Sequence, residues 1–300
     1  MNDTYNIDEL DLSPIIKIVN EKKYFILLAS ISVSIIFFLS SFLIPNKYHS
    51  FISLQPLEDQ TSNIPGQLGG IAAFAGINIQ DKGNKTDLAL KILTSTDFFE
   101  TLYQDEEFLI DLMATKNFSS VSGKISIDSN KYDVKSKKWV RDHKNPKPTV
   151  QESHKVFLKS ITQYVDKNTQ FVEISFVHIS PYIAQKWLTR IIDKLNETVK
   201  EMETKRAELS LKYLMLQISK TDVAAVQEVI SNLIQKELSI LTISAGNKSY
   251  VFDIIDSPRV PEKKSSPSRI RFLLIGFVIS IFFFIPFVIY RSLKSKKSAY

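Results

Sequence analysis

Two runs without a single charge, Phe25–Ile44 (FILLASISVSIIFFLSSFLI) and Phe272–Tyr290 (FLLIGFVISIFFFIPFVIY), constrain this chain more than anything else in it. At about 1.5 Å of rise per residue, a run of this length reaches about 30 Å as a helix, the thickness of one hydrocarbon core. A core helix of a soluble protein keeps a polar face over such a length, so both runs predict membrane-spanning helices. Pro286 lies near the end of the second, where neighbouring groups absorb the lost hydrogen bond. The leader of the first is acidic (Asp3, Asp8, Glu9, Asp11) and no A-x-A site follows it, which points to a retained anchor and not a cleaved signal peptide. Lys17, Lys22 and Lys23 precede this run and only Lys47 and His49 follow closely, so the positive-inside bias places the N-terminus in the cytoplasm. Two crossings return the C-terminus to the same side. The expected organisation is a cytoplasmic segment 1–24, a span 25–44, an extracytoplasmic α+β domain 45–271, a span 272–290 and a cytoplasmic tail 291–300.

The charge distribution supports a membrane setting. Lys and Arg number 38 against 32 Asp and Glu. The stretch Arg259–Arg271 holds five bases against Glu262 alone, and the last ten residues hold four bases and no acid. The excess therefore sits around the second apolar run, where it reads as phospholipid contact and not as a nucleic-acid patch. No cysteine occurs, which excludes disulfides and thiolate metal sites.

Between the spans, Tyr48–Leu57 alternates and is β-rich, predicting a strand. Gly66–Gly76 (GQLGGIAAFAG) holds half of the eight glycines. It reads either as a flexible loop or as a close-packed contact between subunits. Helices are predicted over Asp87–Tyr103, Glu106–Ala114 and Glu152–Tyr164, strands over Lys124–Asp128 and Phe171–His178, and an exposed polar loop over Lys131–Thr149. From Pro181 to Leu241 no further proline and no glycine occurs. Leu188, Ile191, Leu195, Val199 and Met202 form a helical stripe, which resumes with Leu209, Leu211, Leu214 and Ile218. One straight helix over this stretch would measure about 90 Å. Thr221-Asp222 could cap a second helix, so either an arm projects or two helices form a hairpin. A body of this size is too short to cover such a helix. Leu209, Leu214 and Ile218 are therefore expected to meet a neighbouring helix: the return stretch Val223–Leu241, an adjacent subunit, or both. Ser249–Asp256 alternates as a final strand. A linker over 257–271 follows, stiffened by Pro258, Pro261 and Pro267. Pairing of the first and last strands would form a small membrane-proximal sheet, with the long helical section (about 181–243) carried outward.

No P-loop, G-x-S-x-G elbow or H-E-x-x-H occurs, and His49, His143, His154 and His178 are scattered. No catalytic, cofactor or metal site is predicted. Asp253 and Asp256 flank the last strand as solvated or paired acids. In the second span, Gly276 and Ser280 stand four residues apart and present small side chains to one face, which permits close helix packing. Alternatively, Gly276 only relieves crowding among phenylalanines.

Four segments stand in order along the chain: the N-terminal IDELDL before a basic-flanked span, Leu68–Ile77 (LGGIAAFAGI), AAVQEVISNLIQKELSILTISA, and SYVFDIIDSPRVPEKKSSPSR leading into a span with Gly276 and Pro286. Together they resemble the Wzz-type polysaccharide co-polymerases, the chain-length determinants of bacterial glycans. The resemblance covers nearly the whole chain and is weakest between about Lys116 and Thr149. Ser280 stands where relatives often place a second glycine. With neither a P-loop nor a tyrosine cluster after the second span, the chain resembles the class without a fused kinase. The resemblance implies a non-enzymatic inner-membrane regulator with its main domain in the periplasm. It further implies a ring-like homo-oligomer, no cofactor, and a Wzy-type polymerase and undecaprenyl-linked polysaccharide as partners. The alternative from another class is a periplasmic sensor, against which stands the small cytoplasmic portion.

Overall fold

The computed structural model describes residues 13–57, 85–246 and 249–297. The glycine-rich run Gly66–Gly76 lies outside the described residues. The chain divides into two compact units, one formed by residues 1–46 with 265–300 and the other by 47–264.

The first unit is helical. Helix α1 (Ser13–Glu21) precedes α2 (Lys23–Ser40), which a 3-10 turn, Ser41–Leu43, extends. The last helix of the chain, Arg269–Lys297, contains the whole second apolar run and Pro286. Lys23–Leu43 and Arg269–Ser292 are both long and apolar enough to cross a membrane. Within the most apolar 18 residues of each, only 22% and 17% are buried, so neither is the core helix of a soluble domain.

The second unit is α+β. Strand β1 (Tyr48–Pro56) leads to three short helices, α3 (Lys85–Leu93), α4 (Thr96–Tyr103) and α5 (Glu106–Ala114). The single helical stretch predicted over Asp87–Tyr103 breaks at Thr94, because Ser95 accepts from the Phe98 amide and starts α4 afresh. Asp105 caps α5 in the same way, accepting from the Glu107 and Phe108 amides. A hairpin of β2 (Thr115–Phe118) and β3 (Ile125–Ile127) follows, then a two-residue pair, β4 (Tyr132–Asp133) and β5 (Lys138–Trp139). The expected loop over Lys131–Thr149 is thus partly ordered. Trp139 and Lys147 both bond Glu106, Arg141 pairs with Glu152, and the Tyr103 hydroxyl donates to the Pro148 carbonyl.

Helix α6 (Val150–Ser160) ends earlier than the predicted Glu152–Tyr164, and Ile161–Val165 is a strand, β6. That segment is β-branched and aromatic, and the open edge of β7 (Val172–His178) supplies the partner that settles it. The sheet order is β6-β7-β1-β8, where β8 is Phe252–Asp256, and all neighbours run antiparallel. The first and last strands pair as expected. A bulge between Ser53 and Leu54 shifts their register.

Helix α7 (Pro181–Ile218) is one helix of 38 residues, about 57 Å long. Ser180 caps it and Pro181 occupies its first turn. Helix α8 (Ala224–Gly246) returns along it, so the long section is a hairpin. On α7, Ile183, Trp187, Leu188, Ile191, Ile192, Leu195 and Val199 join Ile52, Leu54, Ile174 and Phe176 of the sheet, and Phe99, Phe108 and Phe157 of the short helices, in one core. The remaining helix, α9 (Arg269–Lys297), belongs to the first unit.

Candidate functional site

Three groups of residues stand out: the span pair, the distal helical hairpin and the base of that hairpin.

In the first unit, α2 and α9 pack antiparallel, since their contacts run in opposite order. Phe42 meets Arg269, Phe37 and Ser34 meet Gly276, Ser30 meets Ser280, and Ile26 meets Val288. The seam is made of small and polar residues. The Ser34 hydroxyl donates to the Leu273 carbonyl at 2.6 Å. The Ser280 hydroxyl donates to Phe277 O at 2.7 Å within its own helix and lies 3.4 Å from Ser30 O. A Cβ at Gly276 would stand 2.7 Å from Phe37 Cβ and 3.2 Å from Ser34 Cα, so glycine is what permits this approach. Pro286 lies in α9, closer to the end that meets Ile26. Ser30 and Ser34 were not singled out from the sequence. Their only signal is polarity at a spacing of four, which Ser32, Ser40 and Ser41 of the same run obscure.

In the second unit, the burial of α7 changes at Val199. Proximal to it the stripe is covered by the body; distal to it, Ala207 alone is fully buried. Leu209 is 64% exposed, and Leu214 and Ile218 are half-buried. Helix α8 covers one side of α7, with the Ser210 hydroxyl donating to Glu237 at 3.0 Å. Yet of all α8 residues only Ser244 is fully buried. Leu209, Tyr213, Met215, Leu216, Val226 and Leu238 remain open to solvent.

The base of the hairpin is tied by polar bonds that the stripe did not announce. Asn196, the one amide amid Ile192, Leu195 and Val199, accepts from the Val251 and Phe252 amides at 3.0 and 3.2 Å. It satisfies two donors where the chain enters β8. Glu203 accepts from the Tyr250 hydroxyl and pairs with Lys85, whose ammonium lies 3.8 Å from the Tyr250 ring centre. At the start of α7, the Trp187 indole donates to Asp111 at 2.7 Å. Burial pushes the Asp111 carboxyl up, against the indole and Lys186. Glu107 is held low by its bond to Lys186.

The linker prolines do not gather at either surface. Pro258 is buried and its carbonyl accepts from Gln185 at 3.4 Å, Pro261 is half-buried, and Pro267 is buried within the first unit. Asp256 pairs with Arg259, and Asp253 is exposed on β8. Among the described residues, no group of three or more His, Asp or Glu could hold a metal ion.

No protein-family model and no curated protein matches the sequence. Among solved structures, the chain is similar to a full-length bacterial polysaccharide co-polymerase at 14% identity, covering 97% of this chain and 100% of that one, with a TM-score of 0.41. It is also similar to a fragment of WzzB, a polysaccharide co-polymerase from Salmonella Typhimurium, at 15% identity over 74% of this chain and 100% of that one, with a TM-score of 0.31.

Proposed function

We propose that this chain is a non-enzymatic regulator of polysaccharide chain length. It is anchored in a bacterial inner membrane by two spans, with both termini cytoplasmic and residues 45–271 periplasmic. The observation that carries the reading is the hairpin of α7 and α8, which takes apolar side chains such as Leu209, Tyr213, Leu216 and Leu238 beyond the body that could bury them. Exposed apolar area on that scale calls for a partner, and identical copies arranged in a ring supply it repeatedly and close on themselves. The segment order around two terminal spans, which resembles the Wzz-type co-polymerases, points to O-antigen or a related undecaprenyl-linked glycan. It also points to a Wzy-type polymerase as the working partner. In this reading the protein performs no chemistry. Its ring sets how long the polymerase stays engaged with the growing chain.

The test is deletion of the gene followed by electrophoresis of the cell's surface polysaccharide. The expected result is loss of a modal length with glycan synthesis retained, restored by the wild-type gene. An unchanged length distribution would sink the reading and favour a sensor.

A further inference from the structure

We infer that the β2–β3 hairpin is a third membrane contact: its tip docks on the surface of an anionic bilayer, with Val121 entering the interface and Lys116 and Lys124 resting on lipid phosphates. The inference depends on the proposal that the two apolar helices span a membrane.

The hairpin closes through Ser119–Lys124. The Ser119 amide donates to Lys124 O, the Gly123 amide donates to Ser119 O, and Gly123 takes the left-handed conformation that suits glycine at φ +66°. This turn lifts Val121 wholly clear of the protein, at 101% exposure. A lone valine at the apex of a serine-rich turn has no packing role. Ile125, the first residue of β3, is exposed as well. Thr115–Ile127 contains two lysines and no acid, and among the described residues neither lysine is paired with a carboxylate.

The hairpin is held at the end of the domain from which the chain leaves toward both spans. The Tyr48 hydroxyl bonds Ser120 at 3.1 Å, and the Tyr48 ring packs edge-on against Phe118. Phe118 in turn meets Tyr182 in the first turn of α7. Tyr48 opens β1 and follows Leu43, the last residue of the first span, by five positions, a chain reach of at most about 18 Å. On the other exit, the Ser50 hydroxyl donates to the Arg259 carbonyl as the chain runs on toward Lys263 and Lys264. An apolar tip with Lys124 in its turn and Lys116 at the foot of the same hairpin suits a headgroup layer: the valine leaves water while the long lysine side chains let their ammonium groups stay with the phosphates. An acidic glycan would use the lysines and leave the valine in water.

The chain has no cysteine, so single cysteines report on single sites. Val121→Cys, Lys220→Cys in the distal turn and Leu274→Cys in the second span would each be labelled with an environment-sensitive fluorophore. The full-length variants would then be reconstituted in vesicles of phosphatidylcholine with or without phosphatidylglycerol. The expected result at residue 121 is a blue shift and quenching by lipid-borne quenchers. Both should be strongest with phosphatidylglycerol and lost in Lys116→Glu/Lys124→Glu. Residue 220 should stay aqueous and residue 274 should be quenched in every vesicle. If residue 274 is quenched while residue 121 behaves like residue 220, the docking inference falls and the spans stand. Docking on lipid is equally overturned if only a soluble acidic polysaccharide shields residue 121. If residue 274 itself stays aqueous, the spanning proposal falls and takes the inference with it.

Discussion

Buried beside the end of α5, the His178 ring accepts from the Ser180 amide through Nδ1 and so donates through Nε2 to the Asp111 carbonyl. Both nitrogens are committed, and burial pushes the ring's pKa down, against these backbone bonds. The unfolded chain therefore takes up a proton, as the pH falls below about 6.5, that the native state refuses. Stability is full above that value and declines as the pH drops through it. Thermal unfolding of the detergent-solubilised chain across this range should show the decline, and His178→Gln, which keeps the donor but cannot charge, should flatten it. Asp111 acts with the opposite sign and at lower pH. Its carboxyl is raised from the usual 3.8, so the native state holds a proton that the unfolded chain releases just above that value. Asn196 makes a second prediction at this scale. Asn196→Ala strands the Val251 and Phe252 amides in the core. It should cost about 1–3 kcal/mol in chemical unfolding, with little change in the denaturant slope.

Among the elements, the span pair and the distal hairpin give opposite kinds of contact. The span pair is tight because the seam residues are small. Gly276→Leu places a branched chain where even a Cβ comes within 2.7 Å of Phe37, so α2 and α9 must separate or rotate. The expected outcome is weaker cysteine cross-linking between positions 30 and 280 and an altered glycan length distribution. If both stay at wild-type levels, close packing at Gly276 has no functional weight. The hairpin is loose because one return helix cannot surround α7. Leu214→Glu replaces a half-buried side chain in the distal section. Part of the roughly 1.5–3 kcal/mol that full burial of a leucine provides is lost, and a carboxylate is desolvated as well. Repeated around a ring, this should yield a smaller species on native gels and shorter or unregulated glycan, with membrane insertion intact. An unaltered oligomer together with a wild-type length distribution would mean that the distal hairpin is a solvated arm.

For the molecule as a whole, the proposal has a topological consequence. Reporter fusions at residue 300 should read cytoplasmic and those at residue 140 periplasmic, on the argument from Lys17, Lys22 and Lys23. A periplasmic C-terminus would overturn the architecture. The pairing of β1 with β8 gives this topology a mechanical meaning within the second unit. The strand entering from the first span and the strand leaving toward the second are hydrogen-bonded to each other. Load carried by either chain exit therefore passes directly into the sheet.

Composition and spacing alone determined the two long apolar helices, a short helix near Glu106–Ala114 and the α-helical character of 181–218. These depend on properties a segment carries by itself: the absence of charge over a whole run and a stripe repeating every three or four residues. Only the tertiary structure decided what rests on a partner outside the segment itself. Ile161–Val165 carries Thr162 and Gln163 at its centre and reads as the continuation of a helix until the open edge of β7 is there to pair with it. Whether 181–241 forms one helix or two was open because Ser219–Val223 contains neither glycine nor proline. Contact between α7 and α8 resolved it as a hairpin. Gly276 and Ser280 were legible as a small face, but their counterparts Ser30 and Ser34 were not. A hydroxyl that can bond its own helix backbone fits an apolar span wherever it lies, and only the facing helix gives its position a role.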